Sequence, residues 1–262
     1  MADMVSRNKG ELSFENVLVA SMRTPGVKID RAKFLRKELI KYYPEHTVAQ
    51  AIRYNPAQAG IKRHSINKIA STVINYETNK VTGLSIAASI PGSLAVPAAV
   101  GAATADITSY FAHILRIVQE LAYLYGFEDF ELKEENIDSE TMDMIMIFLG
   151  VMFGVQGAAA ALNKLATVMA NHVAKKLAGK ALTKGIVYPI VKKIATFIGV
   201  HMTKQVFADT VASAIPVVGS LASGALTYLS FKPCCNRLMK NLKSYKLSDP
   251  DFYKNYGDYR SR

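Results

Sequence analysis

The stretch PAAVGAATADITSYFAHILRIVQELAYLYG, residues 97 to 126, decides the fold class. Pro97 suits a first helical turn, where a missing amide hydrogen leaves no helical bond unmade. Helical periodicity runs on to Tyr125, and Gly126 offers the left-handed stop at which helices end. The reading is one long helix.

Upstream, Val81 to Ala105 is small and apolar, and Pro91 and Pro97 each delete an amide donor. A helix running into Ser89 and a turn at Pro91-Gly92 are expected there. Downstream, an acidic linker through Glu128, Asp129, Glu131, Glu134 and Glu135 reaches Asp138, placed to cap the next helix. Met144 to Ala161 is apolar nearly all round, with Gly150, Gly154 and Gly157 permitting close helix contact. Leu165 to Lys184 reads as a lysine-bearing helix, Tyr188-Pro189 as a boundary, and Pro216 and Gly219 as the start of a last apolar helix.

The N-terminal part reads as ordinary amphipathic helices. Glu11 to Ser21 is a short one ended by Thr24-Pro25-Gly26. Asp30 can cap a second, with Phe34, Leu35, Leu39 and Tyr42 as its apolar stripe. Pro44 opens a third that breaks at Asn55-Pro56, and Ile66, Ile69, Val73 and Ile74 mark a fourth over Ser65 to Tyr76. No long alternation and no Asn-Gly hairpin signal argues for strands. The fold class is therefore all-α, a multi-helix bundle with glycine- and alanine-rich central hairpins. Residues 1–64 form an N-terminal helical region packed on the core, 65–245 the main helical domain and 246–262 a basic polar tail.

The 262 residues carry a net charge of +11, unevenly distributed. Residues 1–80 hold 14 basic and 7 acidic side chains, whereas residues 81–143 hold 2 and 10. Residues 144–208 contain eight lysines and no acid: Lys164, Lys175, Lys176, Lys180, Lys184, Lys192, Lys193 and Lys204. On an amphipathic helix such lysines can snorkel beside anionic headgroups; equally, they can face the acidic segment of the same fold. Nucleic acid is not expected, because the run has no arginine and no reading-helix pattern accompanies it.

Val81 to Ala105, Met144 to Asn163 and Thr210 to Phe231 carry no formal charge, and their 25, 20 and 22 residues are long enough to span a bilayer. Prolines and serines in the first and small residues in the third favour core helices, in a soluble or peripheral protein. The N-terminal residues do not read as an export signal. The adjacent Cys234 and Cys235 offer neither a standard bridge nor metal spacing, which fits a reducing, cytoplasmic setting.

No nucleophile elbow, dinucleotide fingerprint or phosphate loop is present. In the long helix Asp106, His113 and Glu120 recur every seven residues, and Arg116 stands four before Glu120, where an ion pair is reasonable. Residues seven apart on a helix are ~10.5 Å apart, so these three cannot share a metal ion. No metal and no cofactor is expected. Asp106 follows 25 uncharged residues and, if buried, needs a partner. A structural ion pair is one reading; a polar pocket with Arg116, Gln119 or His201 is the other. His46, His64 and His172 read as surface histidines.

Ile90-Pro91 through Asp106, Ile117-Val-Gln-Glu-Leu-Ala-Tyr-Leu-Tyr-Gly-Phe127, Ile147 to Gly154 and Ile215-Pro-Val-Val-Gly219 together resemble the EcsC family of bacterial proteins, over roughly residues 65–245. The resemblance implies a mostly helical protein with no catalytic assignment, and makes Asp106, Gln119, Tyr125, Gly126, Pro216 and Gly219 its family-like positions. The Ala- and Lys-rich residues 158–184 and the N-terminal block depart from it, which leaves room for an effector or toxin-neutralising use.

Three functions are compatible with these features. The leading one is a non-enzymatic binding or regulatory protein at an anionic membrane surface or on a membrane-associated partner. The others are an enzyme with a buried polar pocket around Asp106 and Arg116 acting on a lipid-like substrate, and a membrane-inserting pore.

Overall fold

The computed structural model describes residues 14–89, 99–130, 139–171, 193, 194, 196 and 223–254, with side chains from 17–83, 108–130, 141–171, 193, 194, 196 and 231–254. Its helices are α1 (Phe14–Met22), α2 (Arg31–Leu39), α3 (Glu45–Arg53), α4 (Arg63–Ser89), α5 (Ala99–Leu124), α6 (Ser139–Phe153), α7 (Ala158–Asn171) and α8 (Ser223–Leu242). A short 3-10 helix, Lys246–Ser248, and a helical turn over 250–254 follow. No strand occurs among the described residues, so the architecture is an all-α bundle.

The long helix is its centre. α5 touches α1, α2, α4, α6 and α8, and from Phe111 to Phe127 every residue except Arg116 is buried. A helix enclosed on nearly all sides is predominantly apolar, which explains the density of Ile, Leu, Val and Ala after Tyr110 and makes its buried His113, Gln119 and Glu120 exceptions. α8 lies against α4 along much of its length, Pro233 notwithstanding, and α7 packs on α6.

The expected helix signals work by identifiable bonds. Asp30 caps α2 by accepting from the Lys33 amide at 2.9 Å. At the end of α5, Gly126 has φ +100°, its amide donates to Tyr123 O at 3.3 Å, and Phe127 N donates to Ala122 O at 2.9 Å. This pair of bonds is a Schellman stop. α4 is one continuous helix where two segments were expected, and its Ile66, Ile69, Val73 and Ile74 are all buried.

Other expectations need correction. Tyr42 does not join the buried stripe of α2; it lies beyond the helix end and is 54% exposed. The apolar run Met144 to Ala161 is two helices. Gly154, with φ +76°, ends α6 through Val155 N to Gly150 O at 2.8 Å and Gly154 N to Val151 O at 3.2 Å, and α7 starts four residues later. Gly154 and Gly157 (φ +93°) are therefore turn residues. Gly150 is the close approach: a Cβ there would stand 2.5 Å from Ile194 Cδ1 and 2.9 Å from the Ala158 Cβ. No described helix is long and apolar enough to cross a membrane.

The described segment just after α8 is packed. Tyr245, Leu247 and Ser248 are buried, and a Cβ on Gly126 would lie 3.0 Å from the Leu247 carbonyl oxygen. The turn at Pro91-Gly92, the Asp138 cap, and Pro216 and Gly219 lie outside the described residues.

Candidate functional site

One buried cluster of ionisable side chains forms where α4, α5 and the segment between α1 and α2 meet. Its hub is Glu77 of α4, which is fully buried. Glu77 occupies the apolar stripe of its helix, four residues after Val73 and four before Val81, both buried. From α5, His113 Nδ1 lies 3.3 Å from Glu77 Oε2, and Arg116 Nη2 lies 3.5 Å from Glu77 Oε1. The same Arg116 nitrogen is 3.4 Å from Glu120 Oε1, and Arg116 Nη1 donates to the Gly26 carbonyl. Lys80, partly exposed, stands 3.7 Å from Glu77 Oε1. The positions 113, 116 and 120 share one helical face, which is why a single residue of α4 reaches this set.

The two carboxyls are driven apart electrostatically. Burial pushes Glu77 up, but the His113 hydrogen bond and the charges of Arg116 and Lys80 outweigh it, and its carboxyl lies below the ordinary value. Burial, then the neighbouring Glu77 charge, pushes Glu120 up to about 8 against the pull of Arg116, Lys37 and Lys80. At neutral pH Glu77 is thus the carboxylate and Glu120 the acid. Glu77 Oε1, Arg116 Nε and Glu120 Oε2 are shielded from solvent and have no hydrogen-bond partner.

Three of the expected pocket residues, His113, Arg116 and Glu120, therefore come together, and the Arg116–Glu120 pair is present. Gln119 does not join them. Its Nε2 donates to Val27 O and Leu115 O, each at 2.9 Å, and its Oε1 accepts from Ile29 N at 3.0 Å. The amide thus docks the 27–29 backbone on α5 as a neighbouring strand would. The side chain of Asp106 and all of His201 lie outside the described residues.

Sequence reasoning missed Glu77, although it is the single acid between Glu45 and Asp106 and interrupts an apolar stripe. It also missed Arg31. That guanidinium donates from Nη1 to Ile52 O at 2.7 Å, from Nη2 to Tyr54 O at 3.0 Å and from Nε to Phe127 O at 3.1 Å, tying the ends of α3 and α5 together. Arg31 sits in a run of basic residues, and only the tertiary contacts distinguish it from them.

Of the lysine run, Lys164 on α7 and Lys193 are exposed, and Lys193 Nζ donates to Gln156 Oε1 at 3.4 Å. Lys175, Lys176, Lys180, Lys184, Lys192 and Lys204 lie outside the described residues. His46 and His64 are exposed, and His172 is outside the described residues. Cys235 is buried and Cys234 half-buried, and burial pushes both thiols up, away from the thiolate form. No group of His, Cys, Asp and Glu among the described residues has metal-binding geometry.

Comparison with known proteins leaves the reading to the chain itself: no family profile, curated protein or solved structure matches it.

Proposed function

We propose that the protein is a non-enzymatic helical binding or regulatory protein that acts at an anionic membrane surface or on a partner held there. The observation that carries this reading is the acid-free run of residues 144–208 with its eight lysines. Where the run is described, α7 directs Leu162, Leu165 and Ala166 into the core and Lys164 outward. An apolar face already used by the core is not available to lipid, so attraction rests on the lysine ammonium groups. The EcsC-like motifs of residues 65–245 suit the same reading, as does a cytoplasmic setting. The enzyme reading is less well supported, because both cluster carboxyls are sealed from solvent and Gln119 is engaged with backbone.

Sedimentation of the full chain with vesicles tests the proposal. Binding to phosphatidylserine-containing vesicles at low salt, absent on neutral vesicles and lost near ~1 M salt where screening acts within about 3 Å, is the expected result. No binding to anionic vesicles at low salt overturns the membrane reading in favour of a protein partner. Binding that survives high salt would instead mean apolar insertion.

A further inference from the structure

Glu120 is surrounded by charge it cannot fully use. From α4 come Glu77 and Lys80, from α5 itself Arg116 and His113, from α2 Lys37, and from α8 the Cys235 thiol. The described side chains of α1, residues 17–22, add no ionisable group. Lys37 remains largely in water, with 71% of its side chain exposed, and Lys80, 40% exposed, directs its ammonium to Glu77 at 3.7 Å. Among the described residues, Arg116 is the one cation in contact with the Glu120 carboxyl, at 3.4 Å, and it also serves Glu77 and the Gly26 carbonyl. Glu77 has Lys80 at 3.7 Å and His113 at 3.3 Å besides its share of Arg116. The Glu120 carboxyl has only its share of Arg116 and an Oε2 with no hydrogen-bond partner, so Glu120 is the less compensated carboxyl and the one placed to carry a proton.

We infer that Glu120 is a buried proton-binding site whose occupancy controls the docking of residues 26–29 on the α4–α5 pair. With the proton bound, Arg116 pairs with Glu77 and keeps its bond to Gly26 O, while Gln119 holds Val27 and Ile29 beside it. On release, the Glu120 O–H breaks, the proton passes to bulk water and the cluster gains one negative charge. Arg116 is then drawn toward two carboxylates, and the Gly26 contact weakens. The site's midpoint near about 8 places this release just above neutrality. The inference is independent of any membrane role.

The test is carboxyl NMR of the full chain labelled with 13C at the glutamate side chains, together with amide hydrogen exchange across residues 26–29, both from about pH 6 to about pH 10. One glutamate carboxyl is expected to titrate in the alkaline range and to be missing in Glu120→Gln, which is isosteric with the neutral acid. Lys37→Glu, at an exposed position, should move the same midpoint upward. After correction for intrinsic exchange, protection at 26–29 should fall about tenfold or more on alkalinisation in the wild type and stay nearly constant in Glu120→Gln. A Glu120 carboxyl that titrates in the ordinary acidic range overturns the inference, as does an equal loss of protection in both proteins. If Glu120→Gln does not fold, the alkaline resonance and its Lys37→Glu shift decide the matter.

Discussion

Glu77 and His113 stand 36 positions apart in the chain, and the packing of α4 on α5 brings a Glu77 carboxylate oxygen to 3.3 Å from His113 Nδ1. Arg116 on the next turn reaches the other oxygen, so a single buried acid links the two longest described helices.

Truncating that acid should be costly. Glu77→Ala leaves Arg116 and His113 facing an emptied, desolvated space, and removal of one partner of a buried ion cluster typically costs about 3–5 kcal/mol. Urea unfolding should show a lower midpoint with an unchanged slope. Glu77→Leu should be less damaging than Glu77→Ala because it restores packing; equal losses would mean that charge, not packing, is what Glu77 supplies.

Acid should unfold the protein through the same residue. The Glu77 carboxyl lies below its ordinary value of 4.5, so its stabilising effect is full above that value and is lost as pH falls through the lower folded-state value. Glu120 has the opposite sign. Its carboxyl is raised, so its effect is full below 4.5 and is lost as pH rises through about 8. Thermal unfolding followed against pH should therefore give a maximum between the two limbs. Glu77→Gln should flatten the acid limb, and no change there would remove Glu77 from the account.

Gln119→Leu should free the 27–29 segment. It orphans the Ile29 amide and the Val27 carbonyl, each a buried group that costs about 1–3 kcal/mol when left unpaired. Hydrogen exchange should quicken at residues 27–29 well before it quickens in the second half of α5. Uniform quickening would indicate a general loss of stability instead.

Two glycines should resist alanine for different reasons. Gly150→Ala places a methyl against Ile194 and Ala158, an overpacking expected to cost about 1–3 kcal/mol. Gly126→Ala forces a side chain onto a backbone at φ +100° and into contact with the Leu247 carbonyl, with a penalty of about 1–3 kcal/mol. Gly83→Ala, on the exposed side of α4 with open space around it, should stabilise slightly, and melting temperatures should rank the three accordingly.

Local sequence carried the helical architecture because helix stops and caps are local events. Gly126 ends α5 and Asp30 starts α2 through bonds to residues within a few positions, and both can be read directly. The apolar run Met144 to Ala161 was harder, since a glycine that stops a helix and a glycine that admits a neighbour look alike in sequence. Gly154 proved to be the first and Gly150 the second, once α7 and Ile194 were in place.

The site was legible along one helix only. The spacing of His113, Arg116 and Glu120 showed a shared face and the Arg116–Glu120 pair, because the geometry of a helix is fixed at that range. Composition and periodicity by themselves determined an all-α chain with a basic, acid-free segment, since both follow from residue type and near-neighbour spacing. The tertiary structure alone decided that Glu77 is the hub, that Gln119 binds backbone and that Glu120 is the carboxyl raised by burial beside Glu77. Each of these depends on which charges meet across a helix interface out of water, and burial sets the strength of those encounters.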